Sequence, residues 1–185
     1  DEIGMTQLFA DLATAAQPLR GVIHLAGVAG AQALRTLQWA DFAQVLRPKL
    51  LGGWLLHRLT AALPLDFFLC YSSGAGIWGG KQQAHYGAAN HFLDGLMAYR
   101  RAQGLPGLSI AWGPWAGGGM ATPEAQALLQ RMGVRALPPA QALGMQAHLL
   151  QTAAIQITAA AIDWSQFKPL YALDKPRRFL EHLAI

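Results

Sequence analysis

Phe67-Phe68-Leu69-Cys70-Tyr71-Ser72-Ser73-Gly74-Ala75-Gly76 is an apolar run that stops on two hydroxyls and then on small residues. Phe67 to Ser72 has the length of a strand and no polar alternation, so both of its faces are predicted to be buried. Gly74 to Gly80 reads as a loop. Two other short apolar runs share this character: Gly21 to Leu25, closed by Ala26-Gly27, and Leu108 to Trp112, closed by Gly113-Pro114. Ile155 to Ala160 is predicted to be a last strand.

Apolar residues at helical spacing fill the intervals. Helices are predicted over Thr6 to Ala16, Leu34 to Leu46, Lys49 to Ala61, Ala84 to Gln103, Thr122 to Met132 and Pro139 to Gln151, with Pro18, Pro48 and Pro106 as breakers. The order β-α-α-β-α-β-α-α-β predicts an α/β fold, a Rossmann-like parallel sheet with helices on both faces. Ala26-Gly27, Ser72-Ser73 and Gly113-Pro114 would then share the edge where such sheets bind ligands. No Gly-rich phosphate loop joins a strand to a helix. Gly117-Gly118-Gly119 follows a strand, but it lies in a proline-flanked loop and does not match the dinucleotide fingerprint. Residues 1–185 are therefore expected to be the carboxyl-terminal part of one domain, lacking its amino-terminal strands and Gly-rich loop.

Composition excludes several classes. With 53% hydrophobic residues and a mean hydropathy of +0.23, the chain can bury a sizeable core. Cys70 is the single cysteine and sits in an apolar run, which predicts a buried thiol, no disulfide within the chain and a reducing, cytoplasmic compartment. The net charge of +4 comes from scattered residues, with small clusters only at Arg100-Arg101 and Lys175-Pro176-Arg177-Arg178. Nucleic-acid binding would need a denser basic stripe. Mild basicity suits a phosphorylated cofactor or an acidic carrier protein, and a solvated surface equally well. Ala102 to Pro123 and Ala136 to Ile162 carry no charge, but their prolines and polar residues argue against membrane spans. No signal peptide is read at Asp1-Glu2, and no metal is expected.

Tyr86 and Asn90 stand one helical turn apart and follow Ser73 by a strand end, a loop and a helix start. A Ser and a Tyr brought together in this way can hydrogen-bond and protonate a carbonyl oxygen. A free phenol, with a pKa near 10, holds its proton too tightly for that task at neutral pH unless a cation stands nearby. Taken singly, Ser73 could close a turn, Tyr86 could be a core aromatic, Lys49 a solvated first-turn residue and Asn90 an exposed helical side chain.

Five ordered segments carry more weight together. They are His24-Leu25-Ala26-Gly27-Val28, Leu46-Arg47-Pro48-Lys49, Tyr71 to Gly76, Tyr86-Gly87-Ala88-Ala89-Asn90 with Phe92-Leu93-Asp94, and Ser109 to Trp115. From about Leu19 onward the chain resembles a ketoreductase domain of a modular polyketide synthase, in the short-chain dehydrogenase/reductase superfamily. Ordinary members of that superfamily carry Lys four residues after the Tyr. Asn90 stands there in this chain and Lys49 comes from an earlier helix, an exchange typical of polyketide and fatty-acid synthase ketoreductases.

The resemblance implies Tyr86 as general acid, Ser73 as the group that hydrogen-bonds the ketone, Lys49 as the cation that lowers the Tyr86 pKa, and Asn90 as the residue holding Lys49 or a relay water. It implies NADPH as cofactor, with contacts from Ala26, Gly27, Lys49, Tyr86, Gly113, Pro114 and Trp115. Ala29-Gly30-Ala31 occupy the positions where D-hydroxyl types carry Leu-Asp-Asp. Trp78, eight residues before Tyr86, resembles the mark of the L-hydroxyl (A) type, and Gln83 in place of His resembles the subtype without preference for an epimerised α-substituent. Residues 116–135 would form a lid, hinged at Gly117 to Gly119 and apolar at Met120, Leu128, Leu129 and Met132.

The implied function is reduction of a β-ketoacyl thioester on an acyl carrier protein, within a multifunctional enzyme of secondary-metabolite biosynthesis. The expected partners are that carrier, with its phosphopantetheine-linked chain, and the remaining amino-terminal part of the domain or a complementary chain beside Gly21 to Leu25. Nucleic acid and membrane are not expected as partners. The alternatives are a redox-inactive structural or epimerising domain of such a synthase, and a binding module.

Overall fold

The computed structural model describes residues 1–173 and 177–183; Lys175 and Pro176 of the basic cluster lie outside them. The elements run α1 (Glu2–Ala13), β1 (Gly21–His24), α2 (Trp39–Thr60), β2 (Phe67–Ser73), α3 (Ala84–Ala102), β3 (Leu108–Trp112), α4 (Pro123–Arg131), β4 (Val134–Arg135), α5 (Pro139–Leu149), β5 (Gln156–Ala159), β6 (Ala161–Ile162) and α6 (Trp164–Tyr171). Short 3-10 turns occupy Gly74–Gly76 and Arg178–Leu180. The main sheet has the order β1-β2-β3-β5. β1 pairs with β2 in parallel, with Gly21 opposite Phe67 and His24 opposite Cys70. This is the expected α/β fold, a parallel sheet flanked by helices.

Two helices differ from the sequence expectation. α1 starts at Glu2, ahead of Thr6, because the Asp1 carboxylate accepts from the Gly4 N–H and so caps the helix. The break expected at Pro48 does not occur: Pro48 lies inside α2, which runs on to Thr60, while residues 33–38 form no helix. Proline removes one N–H and crowds the carbonyl of residue 44. The buried stripe Val45, Lys49, Gly53, with Leu55 and His57 beyond it, continues across the proline and outweighs that loss.

The chain divides into two compact units, Asp1–Ala111 with Thr152–Ile157, and Trp112–Gln151 with Thr158–Ile185. In the first unit Val22, Phe68, Cys70, Leu93, Leu96 and Met97 form the core. The Arg100 guanidinium lies 3.9 Å over the Phe68 ring, and its Nε donates to the Pro106 carbonyl at 2.9 Å. In the second unit the Thr122 side chain caps α4, and Asp163 caps α6, a helix that the sequence reading did not predict. β4 and β6 pair antiparallel over two residues each, too short a length for periodicity to reveal. Gly133, at φ +84°, admits the Asp163 carbonyl where a Cβ would stand. No described helix is long and apolar enough to cross a membrane.

Candidate functional site

Three consecutive residues at the carboxyl end of β2 each hold a different part of the first unit. The Tyr71 carbonyl accepts a 2.8 Å hydrogen bond from Lys49 Nζ of α2. The Ser72 hydroxyl donates to the Asn90 carbonyl of α3 at 3.2 Å. Ser73 Oγ accepts from the Ala75 N–H at 3.2 Å and caps the short turn that follows. Alternation along the strand puts the Ser72 side chain on the face opposite that of Tyr71 and Ser73, and burial agrees: Ser72 is buried, its neighbours half-buried.

Lys49 is 2% exposed, and burial pushes its pKa down to about 8, against the opposing influence of Cys70 and Asp94. On β1, His24 is also buried. Desolvation first, then the Lys49 charge, lower its pKa to about 4, while a hydrogen bond to the Pro48 carbonyl acts the other way. His24 is a polar residue in an apolar strand, the one signal by which the sequence could have marked it as a neighbour of the lysine.

Tyr86 and Asn90 share a face of α3. Asn90 is fully buried, its Nδ2 donates back to the Tyr86 carbonyl at 2.7 Å, and its Oδ1 meets no donor among the described residues. Asn90 therefore bonds its own helical turn, while Lys49 bonds the β2 backbone. Gly87 lies between them on the helix: a Cβ there would stand 2.9 Å from the Ala75 carbonyl oxygen, so α3 can approach the end of β2 this closely only with glycine.

Among the other expected site residues of this unit, Ala26 is exposed and Gly27 half-buried in the loop after β1. The half-buried Trp78 lays its ring over Gly74, at a spot a Cβ would occupy. Gln83 stands at the start of α3, beside Gly80. It also lines a groove of about 370 Å³ with Gln32, Leu34, Gln82 and Gly87. Gly113, Pro114, Trp115 and Met120 belong to the second unit. There Trp115 meets Trp112 edge to face at 5.1 Å, and Met120 is exposed.

Residues 1–117 match the family described as the KR domain. The chain is 39% identical over 171 residues to the pikromycin polyketide synthase component PikAIII of Streptomyces venezuelae, a match covering 92% of this chain and 11% of that protein. Among solved structures, the A-type ketoreductases of a modular polyketide synthase superpose with a TM-score of 0.94 at 38% identity, over 99% of this chain and 39% of theirs. A C2-type ketoreductase from a modular polyketide synthase superposes with a TM-score of 0.89 at 31% identity, over 98% of this chain and 39% of its own. The chain thus spans about a tenth of the synthase component and well under half of either solved ketoreductase.

Proposed function

This chain belongs to the KR domain family, the ketoreductases of polyketide synthases, and we propose that it takes part in NADPH-dependent reduction of a β-ketoacyl thioester, carried on an acyl carrier protein, to the β-hydroxyacyl thioester. The observation that supports this reading best is the convergence on Tyr71-Ser72-Ser73 of the lysine helix and the Tyr86-Asn90 helix.

The residues present fit a nicotinamide cofactor. Ala26 and Gly27 leave the backbone after β1 free of bulky side chains, and Lys49 offers a buried ammonium for a ribose hydroxyl. When bound, the reduced nicotinamide supplies the hydride that adds to the carbonyl carbon. Ser73 donates a hydrogen bond to the ketone oxygen and stabilises the charge that develops there. Tyr86 gives its hydroxyl proton to that oxygen, completing the alcohol. Lys49, a cation below pH 8, supplies positive charge beside β2 while the proton is transferred. Asn90 Oδ1 is a buried acceptor suited to a relay water through which the phenolate is reprotonated.

Trp78 over Gly74, together with Ala29-Gly30-Ala31 in the preceding loop, supports an L-hydroxyl product, with Gln83 bordering the acyl chain. Residues 1–185 serve as the carboxyl-terminal part of the catalytic domain, and 116–135 as its lid. The decisive experiment is Tyr86→Phe in a complete ketoreductase domain carrying this chain, assayed with a model β-keto thioester. The expected result is a loss of kcat of at least about a hundredfold, the lower range for removing a general acid. Undiminished reduction would overturn the assignment and leave a structural or epimerising domain as the better reading.

A further inference from the structure

Asp94 is a carboxylate 7% exposed, on a helix whose neighbouring residues Leu93, Leu96 and Met97 belong to the apolar core. Burying a carboxylate is costly unless hydrogen bonds compensate it. An apolar residue would serve packing better, so the bonds Asp94 makes indicate what it does.

Ser109 Oγ of β3 donates to Asp94 Oδ1 at 2.6 Å. The Ser72 hydroxyl of β2 donates to the Asn90 carbonyl at 3.2 Å, one helical turn before Asp94, and so ties the Tyr86–Asn90 turn of α3 to β2 immediately before Ser73. Asp94 Oδ2 accepts no hydrogen bond among the described residues. Around this cluster, burial raises the Asp94 pKa, while Ser109, Ser72, His91 and Lys49 hold it down. His91 Nδ1 stands 3.8 Å from Oδ2 on an exposed ring.

We propose that Ser72 and Asp94 are positioning residues for the reduction: Ser72 pins the Tyr86–Asn90 turn of α3 to β2, and Asp94, through Ser109, pins the next turn to β3, so that α3 is held in register with Ser73 and with the Lys49-bound end of β2. This rests on the function proposed above and adds residues that touch neither substrate nor cofactor. Placing the proton donor correctly matters to the rate because small misplacements of reacting groups are expensive in the transition state.

The test uses a complete ketoreductase domain carrying this chain, with NADPH and a model β-keto thioester, and separates kcat from KM. Ser72→Ala removes the hydroxyl with little change in volume. It is expected to lower kcat about tenfold while both KM values stay within about twofold, as for an interaction realised in the transition state. Asp94→Asn keeps an oxygen that can accept from Ser109, so its kcat should remain within about threefold of the parent, whereas Asp94→Leu should resemble Ser72→Ala. If Asp94→Leu does not fold, Ser72→Ala and Asp94→Asn still decide. A folded Ser72→Ala with full kcat overturns the proposal, as does Asp94→Asn losing as much kcat as Ser72→Ala. Tyr86→Phe run alongside separates the two levels: if it is inactive while Ser72→Ala is unimpaired, only the clamp fails, and if it is fully active, the underlying reading fails.

Discussion

His24 and Lys49 show how one buried residue changes the chemistry of another. Both lie within the first unit at the end of β1 and on the face of α2 beside it, and the ring stands 3.5 Å from where a Gly52 Cβ would be. Burial, and then the Lys49 charge, keep the imidazole neutral, with a pKa near 4. Between about pH 4 and the ordinary histidine value of 6.5, the unfolded chain holds a proton on His24 that the folded chain does not. Folding stability contributed by this site is therefore lost as pH falls through that window. The full span corresponds to about 3 kcal/mol. His24→Leu should flatten the acid side of the stability curve by about one proton, read from urea denaturation at steps between pH 7 and 4.5. Equal slopes for variant and parent would show that His24 charges as freely in the fold as outside it.

At the scale of elements, the position of α3 against the end of β2 depends on Gly87. Replacing it with alanine gains about 1 kcal/mol of helix propensity. The new methyl would stand 2.9 Å from the Ala75 backbone oxygen, which cannot turn aside, and overpacking of this kind costs about 1–3 kcal/mol. Gly87→Ala should therefore lower the melting temperature and, by moving Tyr86, lower kcat; a higher Tm with full kcat would refute the close-approach account. The strands were legible because Phe67 to Ser72 and Leu108 to Trp112 are unbroken apolar runs, and β3 begins and ends where the sequence put it. The α2 helix was not legible, because Pro48 is a local signal while the stripe from Val45 to Leu55 that overrides it is satisfied only by tertiary packing. At the proposed site, Ser73 and Tyr86 stood out by residue type, whereas Lys49 and Asn90 entered through the family resemblance. That Lys49 bonds the Tyr71 carbonyl, and that Ser72 ties down α3, could not be read, since backbone acceptors carry no residue signature.

For the molecule as a whole, the buried titratable groups set opposite trends for stability and activity above neutral pH. Lys49 has a pKa near 8 in the fold and 10.5 in the ordinary state, so above pH 8 the unfolded chain binds the extra proton and stability rises with pH. Cys70 acts in the other direction: burial pushes its thiol up to about 12 from 9.0, so above pH 9 the folded chain holds the extra proton and stability falls. The two slopes cancel from about pH 9, and the raised Tyr71 phenol adds to the falling side only near pH 10. The expected result is a stability gain of about 1 kcal/mol between pH 8 and 9, followed by a plateau, in denaturant titrations at fixed salt. Over the same interval the proposed reduction should slow, because the positive charge that Lys49 supplies is being lost. Lys49→Met should abolish both trends, removing the rise in stability and leaving a residual activity that is flat across the interval. If activity and stability instead rise together above pH 8, the Lys49 charge has no part in the chemistry, and the lysine serves only to bond the Tyr71 carbonyl.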